Sequence, residues 1–412
     1  MNEQDNNRPN WWRNATGQGR AVVPLLPIMG AVFIAFLIIG IAMPVLPLYV
    51  HQGLGLSTVI VGLVAGSQFA VSLISRPWAG RDADTRGAKH AVVTGLVVSA
   101  AAGLLYLFSL QLVSKPALSV TVLLLGRALL GAGESFIITG AQAWGLLLIG
   151  PQNTGKVLAW MGGAMYGAFA LGTPIGTTLY TAHGFTSIAI ATTLVPLATL
   201  LLVAPLRRAA PTARAHSGLT KVIAAVWLPG MGSALSSVGY GAMIAFVSLL
   251  FAARGWTVWP AFTTFAIAFM LARMLFAHLA DTAGGAKVAL ICVAIEAVGQ
   301  SFIWLATDST IALVGAALTG FGYSLVYPGF GVEAVRRAPP QSQGLAMGAY
   351  TAFLDVALGL SGPALGFVAD RAGLGAVFLA SALFVLGAAV IAVRLLNSST
   401  AVQIGALFRP AG

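Results

Sequence analysis

Ionisable side chains deep inside apolar stretches are the features of this sequence that could do chemistry. Arg127 lies about ten residues into one apolar stretch, or ~15 Å along a helix, and Glu134 follows on the same helix face. Asp355 lies about twelve residues into a later stretch, or ~18 Å. A carboxyl group among apolar groups binds a proton more readily than one in water. Glu134 or Asp355 could therefore take up and release a proton near neutral pH.

Arg127 and Glu134 are ~10 Å apart along a helix axis, which is too far for a direct ion pair in simple geometry. Each therefore needs another partner, a water-filled cavity or a proton. Charge within a membrane is costly and is normally tied to a pathway or a partner. A role in handling protons or substrate is one interpretation, and a structural ion network is the other. Glu296 is a weaker candidate of the same kind.

Aromatic and sulfur-containing side chains in several apolar stretches predict a substrate cavity. Simple packing is the alternative explanation, because aromatic residues on helices more often fill cores than line sites. The residues concerned are Met43, Trp160, Tyr166, Tyr323 and Tyr327.

A polar segment occurs twice between apolar stretches, as AGRDADTRGAK at 79–89 and as AHLADTAGGAK at 277–287. Asp84 and Asp281 lie 197 residues apart, and an arginine, Arg76 or Arg273, stands eight residues before each. A polar turn repeated once per half indicates a duplicated membrane transporter. An aspartate there can face the N-terminus of a neighbouring helix, where the dipole favours negative charge. The predicted gate residues are Gly80, Asp84, Gly87, Lys89, Asp281 and Gly284.

The composition supports a membrane protein independently of these segments. The chain of 412 residues is 58% apolar and 8% charged, with a mean hydropathy of +0.90, whereas soluble domains carry roughly a quarter charged residues. The net charge of +11 comes from scattered residues, so we expect no nucleic-acid surface. The single cysteine, Cys292, provides no disulfide framework, and no metal site or cofactor is expected.

Apolar runs of about twenty residues, the length that spans a bilayer, predict an all-α polytopic membrane protein with twelve transmembrane helices in two six-helix halves. We expect a cytoplasmic arm at 1–22, halves at 23–206 and 221–395, a linker at 207–220 and a tail at 396–412. The predicted spans are 23–50, 57–79, 90–111, 117–141, 156–181 and 187–206, then 221–252, 258–278, 287–306, 309–332, 343–369 and 374–395.

Basic residues divide unevenly between the two sides of the membrane that these predicted spans define. Eighteen Lys and Arg residues fall on one side, and Lys115, Arg254 and Arg371 on the other, with Arg127 inside the bilayer. The positive-inside rule then predicts that both termini are cytoplasmic. The duplication continues from the fourth span with an offset of 189, where Gly131, Gly133 and Pro174 match Gly320, Gly322 and Pro363.

With these motifs, the chain resembles the major facilitator superfamily over about residues 20 to 395. The segment from Gly80 to Lys89 is similar to the signature of the loop between the second and third helices, although Asp82, Thr85 and Ala88 depart from its pattern. The segment RALLGAG, which begins at Arg127, resembles the fourth-helix signature. Two further segments resemble signatures of antiporters, namely Gly172-Thr-Pro174-Ile-Gly176 and Pro44-Val-Leu-Pro47.

The resemblance implies a twelve-helix drug:proton antiporter-like class, and within it a bacterial subgroup labelled arabinose or multidrug efflux. It implies proton-coupled export of small organic molecules by alternating access, from a monomer in the bacterial inner membrane. Its partners would be the substrate, protons and the lipid bilayer. It also implies that the helix-5 motif at Gly172, Pro174 and Gly176 seals the cavity, and that the ninth helix, with Glu296, is peripheral.

Two alternatives remain open from the sequence. A proton symporter that imports a nutrient could use Glu134, Asp355 and Arg127 in the same way. A membrane-embedded enzyme is disfavoured because the sequence carries no HExxH, Gly-x-Ser-x-Gly or Walker-type motif.

Overall fold

The computed structural model describes residues 25–150, 154–206, 219–276, 278–338 and 343–407. Long α-helices make up nearly all of these ranges, and no β-strand occurs within them. Helices are the expected solution because a chain in lipid must satisfy its backbone hydrogen bonds within the segment. The predicted arm at 1–22 and most of the linker lie outside the described residues.

The first half contains six helices. They are α1 (Leu26–Gly53), α2 (Thr58–Thr85), α3 (Ala88–Leu110), α4 (Pro116–Ile149), α5 (Thr154–His183) and α6 (Phe185–Val203). Helix α1 is interrupted near Pro44 and ends in a π-helical turn, Tyr49–Gly53.

The second half repeats the arrangement. Its helices are α7 (Leu219–Ala253), α8 (Trp259–Phe276), α9 (Gly285–Leu305), α10 (Ser309–Arg337), α11 (Gln343–Ala372) and α12 (Leu374–Leu407). A helical turn, Leu279–Thr282, follows α8. Eleven of the twelve helices are long and apolar enough to cross a membrane when only the described residues are counted. The exception, α5, packs between α1 and α8. The twelve-helix membrane architecture predicted from the sequence is confirmed.

Equivalent close contacts in the two halves show the duplication in three dimensions. A methyl group on Gly131 would collide with the backbone carbonyl of Gln68, and one on Gly320 would collide with the carbonyl of Phe265. These pairs are related by the offsets of 189 and 197 found in the sequence. The glycines therefore recur because α4 approaches α2, and α10 approaches α8, too closely for any side chain.

The repeated polar segment is mostly helical. Helix α2 continues to Thr85, six residues beyond its predicted end, because Arg86 still donates a backbone hydrogen bond to Asp82. The chain turns at Gly87 and at Gly284, whose φ angles of +100° and +93° lie in the left-handed region that favours glycine. We call the end of the bundle with these two turns the turn end, and it is the end predicted to be cytoplasmic. The other we call the opposite end.

Two of the basic residues assigned to one side lie on helices. Arg76 lies nine residues before the end of α2, and Arg273 lies in the last turn of α8. Both positions also fall within the predicted spans 57–79 and 258–278, so neither belongs to a loop. The asymmetry that predicts the orientation persists. Helix α12 extends to Leu407, through residues predicted to form the tail.

The two halves meet along α2 with α11 and along α5 with α8. At the opposite end, the Thr58 backbone N–H donates to Asp370 Oδ1 at 3.0 Å, and the Thr58 hydroxyl lies 2.7 Å from the Gly366 carbonyl. Gly62 faces the backbone of Gly362 without room for a methyl group. Residues 38–50 of α1 and 236–251 of α7 are all buried. The opposite end is therefore closed.

Candidate functional site

An ion pair joins the two halves at the centre of the α2–α11 interface. Arg76 Nη2 lies 2.8 Å from Oδ2 and 3.1 Å from Oδ1 of Asp355. The Asp355 side chain is 3% exposed and that of Arg76 is 32% exposed, so the pair reaches from the packed interface toward open space. A carboxylate this deeply buried is costly without a partner. Arg76 supplies the partner from the other half.

Glu134 on α4 has a partner on α2. The amide Nε2 of Gln68 donates a 2.5 Å hydrogen bond to Glu134 Oε2. Gln68 is buried, and the close approach of Gly131 to its backbone fixes its position. Glu134 is half-buried, so its carboxyl group has both a fixed donor and access to the interior space.

Arg127 lies on the same helix but does not pair with Glu134. Its Nε donates to the backbone carbonyl of Val64 at 3.2 Å, one turn of α2 from Gln68. It lines a small cavity of ≈ 10 Å³ together with Met43 and other residues of α1, α2 and α7, about the room that one water molecule needs. The expectation that Arg127 and Glu134 have separate partners is confirmed, and both partners lie on α2.

Aromatic rings surround this central region. Tyr166 of α5 stacks on Phe269 of α8, with ring centroids 3.9 Å apart across the two halves. Tyr323 of α10 stacks on Tyr240 of α7 at 4.9 Å, and its hydroxyl lies 3.2 Å from the Ser237 hydroxyl. Tyr327 lies within electrostatic range of Arg76, Asp355 and Arg273. Three of the predicted cavity residues, Tyr166, Tyr323 and Tyr327, are thus brought together.

The other two predicted cavity residues lie elsewhere. Trp160 is 44% exposed and lies six residues before Tyr166, toward the turn end of α5. Met43 is buried at the break of α1, beside Arg127.

Glu296 belongs to a separate polar network. Its side chain is fully buried, and Oε2 accepts a hydrogen bond from the Ser236 hydroxyl of α7. Nearby, Gln300 donates to the Gly239 carbonyl at 3.1 Å and accepts from the Ser381 hydroxyl of α12 at 2.6 Å. These contacts hold α9 against α7 and α12 within one half, which agrees with a packing role.

At the turn after α2, the buried carboxylate is Asp82 and not Asp84. Asp82 accepts from Arg86 at 3.2 Å and lies 2.8 Å from His90 Nδ1. Asp84 is exposed. Lys89 donates to the carbonyls of Ala204 and Leu206 at 2.6 and 2.8 Å, so it caps the end of α6. Asp82, one of the three residues that depart from the family pattern, is therefore the carboxylate that pairs with Arg86 and His90 at this turn.

The two remaining glycines of the predicted gate make no side-chain contacts. A methyl group on Gly80 would meet open space, and Gly284 forms the second turn. The side chain of Asp281 lies outside the described residues.

The helix-5 motif packs α5 against α1. Methyl groups on Gly172 and Gly176 would collide with the backbone at Gly40 and Ile41. Pro174 lies inside α5, where the Thr178 hydroxyl donates to its carbonyl at 2.8 Å. Tight packing explains the two glycines.

Sequence reasoning did not assign Gln68, Arg76 or Arg273 to the site. The signal for the two arginines was present, because both stand eight residues before an aspartate in the repeated segment. No repeat or spacing in the sequence singles out Gln68. Its role follows only from the packing of α2 on α4, which places Gln68 opposite Glu134.

The family model described as Major Facilitator Superfamily matches residues 28–260 and 255–405. An uncharacterised MFS-type transporter of Salmonella typhimurium is 42% identical over 92% of this chain and 98% of its own length. An uncharacterised MFS-type transporter of Pseudomonas aeruginosa is 40% identical over 88% of this chain and 90% of its own length. Among solved structures, the nucleoside transporter NupG gives a TM-score of 0.74 at 13% identity, over 90% of this chain and 99% of that one. The human organic anion transporter MFSD10 gives a TM-score of 0.67 at 15% identity, over 90% of this chain and 99% of that one.

Proposed function

Because the chain belongs to the Major Facilitator Superfamily of membrane transporters, we propose that it is a proton-coupled secondary transporter that exports small organic molecules by alternating access. The observation that carries this proposal is the ion pair between Arg76 of α2 and Asp355 of α11. It is the only ion pair between the halves among the described side chains.

The ion pair provides a physical link between proton binding and movement of the halves. Alternating access requires the two halves to rock about the site between them, and rocking changes the distance between α2 and α11. Separating the pair leaves a buried carboxylate without its counter-charge, and loss of one partner costs ~3–5 kcal/mol in fully buried pairs. Arg76 is 32% exposed, so the cost here is smaller. A proton on Asp355 removes this cost, and proton binding therefore favours the separated state.

Glu134 is the second carboxyl group in the proposed proton path. It lies in the other half from Asp355, and the charges of Arg76 and Arg127 act on it. Its bond to Gln68 holds it in place whether or not it carries a proton, because Gln68 offers both a donor and an acceptor. The two carboxyl groups thus provide one proton-binding site in each half.

Export is supported by the Gly172-Thr-Pro174-Ile-Gly176 motif of α5, which resembles antiporter sequences. The drug:proton antiporter class is part of this proposal and rests on this motif and on Pro44-Val-Leu-Pro47. The arabinose or multidrug-efflux subgroup rests on the stretches GRALLGAGES and YTAFLDVALGL. The competing symporter would use the same carboxyl groups in the opposite direction. The direction of the imposed proton gradient distinguishes the two. An antiporter accumulates substrate in vesicles with an acidic interior, because protons leave as substrate enters, whereas a symporter accumulates it in vesicles with an alkaline interior.

The test is transport in proteoliposomes that contain a pH-sensitive dye. p-Aminohippurate, ethidium and arabinose would be supplied in turn as an aromatic anion, an aromatic cation and a sugar. We expect Asp355→Asn and Glu134→Gln to abolish gradient-driven uptake while exchange without a gradient continues. The matched control is Glu333→Gln, which removes a buried carboxylate paired with Arg336 and Arg337 within one helix. Normal proton movement in both central variants would refute the proposal.

A further inference from the structure

Arg273 of α8 is a cation with no acidic partner in the described part of the chain. No described carboxylate lies within 4.0 Å of its guanidinium group. Its recorded contact is the Phe269 ring one turn earlier, whose centroid is 5.8 Å from the guanidinium carbon. The side chain is half-buried. A charge in this setting is expected to have a partner.

The pseudo-symmetry explains why the partner is missing. Arg273 is the repeat of Arg76, at an offset of 197, and Tyr166 is the repeat of Asp355, at an offset of 189. In one interface Arg76 meets a carboxylate, but in the other the equivalent position carries a phenol. At this repeated position the charges of the α2–α11 interface are therefore balanced, whereas the α5–α8 interface keeps the positive charge of Arg273.

Arg273 lies beside the central aromatic residues, because the Phe269 ring next to its guanidinium group stacks on Tyr166. The charges that act on the Tyr166 hydroxyl include those of Arg273 and Glu134, and those that act on the Tyr327 hydroxyl include Arg76 and Arg273. Both central carboxyl groups already have partners, since Asp355 pairs with Arg76 and Glu134 accepts from Gln68. Among the described central charges, the one with neither an ion-pair nor a hydrogen-bond partner is thus positive, and such a group favours binding of an anion.

We infer that Arg273 binds the acidic group of an organic anion, and that the aromatic body of this substrate lies against Tyr166. A guanidinium group forms paired hydrogen bonds with a carboxylate. Tyr166 is the partly exposed ring of this pair, and its stack on the buried Phe269 holds it beside the charge, where it offers an apolar face to a flat ring. The inference rests on the proposed transport function and gives it a substrate class.

Another arginine on this protein provides a matched control. Arg371 of α11 also lies four residues after a phenylalanine, with its guanidinium carbon 3.6 Å from the centroid of the Phe367 ring. It stands at the opposite end of the bundle, beyond the contact between Thr58 and Asp370. Arg371→Gln therefore removes the same unit of charge and a contact with a phenylalanine one helical turn earlier, away from the central site.

The experiment is equilibrium binding of radiolabelled p-aminohippurate to the purified full chain in detergent, with its uncharged amide as comparator. We expect the wild type and Arg371→Gln to bind p-aminohippurate equally and the amide at least tenfold more weakly. Arg273→Gln is expected to lose at least tenfold in affinity for p-aminohippurate, and Arg273→Lys to lose less. Elution as a single species in gel filtration identifies the folded variants.

Three results would overturn the inference: no binding by the wild type, equal binding by Arg273→Gln, or equal affinity for the amide. Equal binding by Arg273→Gln would indicate an arginine that only reaches lipid headgroups. The assay contains no membrane and no proton gradient, so it is independent of the proposed coupling. Arg273-dependent binding combined with normal proton movement in both Asp355→Asn and Glu134→Gln would refute the coupling and leave the substrate class standing.

Discussion

Arg76 and Asp355, 279 residues apart in the chain, lie 2.8 Å apart across the boundary between the two halves. A change of charge on one member of the pair therefore alters the electrostatic energy of the other half. The free energy that the pair contributes can be measured without knowledge of the substrate, because it affects the stability of the protein.

We expect a double-mutant cycle on this pair to show coupling. Arg76→Gln and Asp355→Asn should each lower the unfolding temperature, and the double variant should lose less than the two single losses combined. The expected interaction free energy is ~0.5–3 kcal/mol, the range for residues in contact. Thermal unfolding of the four purified proteins measures it, and strictly additive losses would show that the pair contributes nothing.

Glu296 is expected to affect stability and not coupling. Glu296→Leu removes the acceptor for Ser236 inside a fully buried network, so we expect a loss of ~1–3 kcal/mol from the unsatisfied group. Glu296→Gln keeps an acceptor and should lose less. Transport per folded molecule should be unchanged in both. Loss of gradient-driven uptake in a well-folded Glu296→Gln protein would instead make Glu296 a coupling residue.

The two aspartates of the turn after α2 are expected to differ. Asp82→Asn weakens contacts to Arg86 and His90, so it should lower the unfolding temperature. Asp84→Asn changes an exposed side chain and should leave stability unchanged.

If Asp84 closes the turn end in the other state of the cycle, Asp84→Asn should nevertheless slow transport. Asp281→Asn should have a milder effect, because Ala277 weakens the second copy of the motif. Wild-type transport rates in Asp84→Asn would remove the gate interpretation. The measurements are thermal unfolding and initial uptake rates on the same preparations.

Closure of the opposite end depends on glycine contacts between α2 and α11. Gly62→Ala places a methyl group against the Gly362 backbone, so we expect this end to stay open and transport to fall by tenfold or more. Gly359→Ala is the matched control, because its methyl group would be 3.4 Å from the Ala70 side chain, an ordinary contact. Labelling of a cysteine at position 58 by an impermeant reagent reports the opening. Equal labelling in both variants would contradict the closure mechanism.

The predicted orientation can be tested at the linker. A cysteine in place of Ala213 should react with an impermeant maleimide only after the cells are opened, because the basic residues place the linker in the cytoplasm. The native Cys292 is buried and gives little background. Labelling of position 213 in intact cells would reverse the orientation.

The sequence by itself determined the membrane class, the twelve helices and the duplication, because hydropathy and repeated small residues are local properties of the chain. It also identified Glu134, Asp355 and Arg127 as charges within membrane-spanning segments, since an ionisable residue within an apolar run is visible without a fold. It could not identify the partners. Which α2 residue faces α4 depends on the rotation of each helix, and the choice of Gln68 and Val64 follows from the close approach at Gly131.

Tertiary structure alone decided how the equivalent positions in the two halves differ. The repeated arginines look alike in the sequence, but Arg76 meets a carboxylate on α11 and Arg273 meets aromatic rings. The turn aspartates likewise appear interchangeable, yet the twist of α2 buries Asp82 and exposes Asp84. Spacing along the chain fixes which residues share a helix face, whereas the packing of one helix on another fixes which charges are paired.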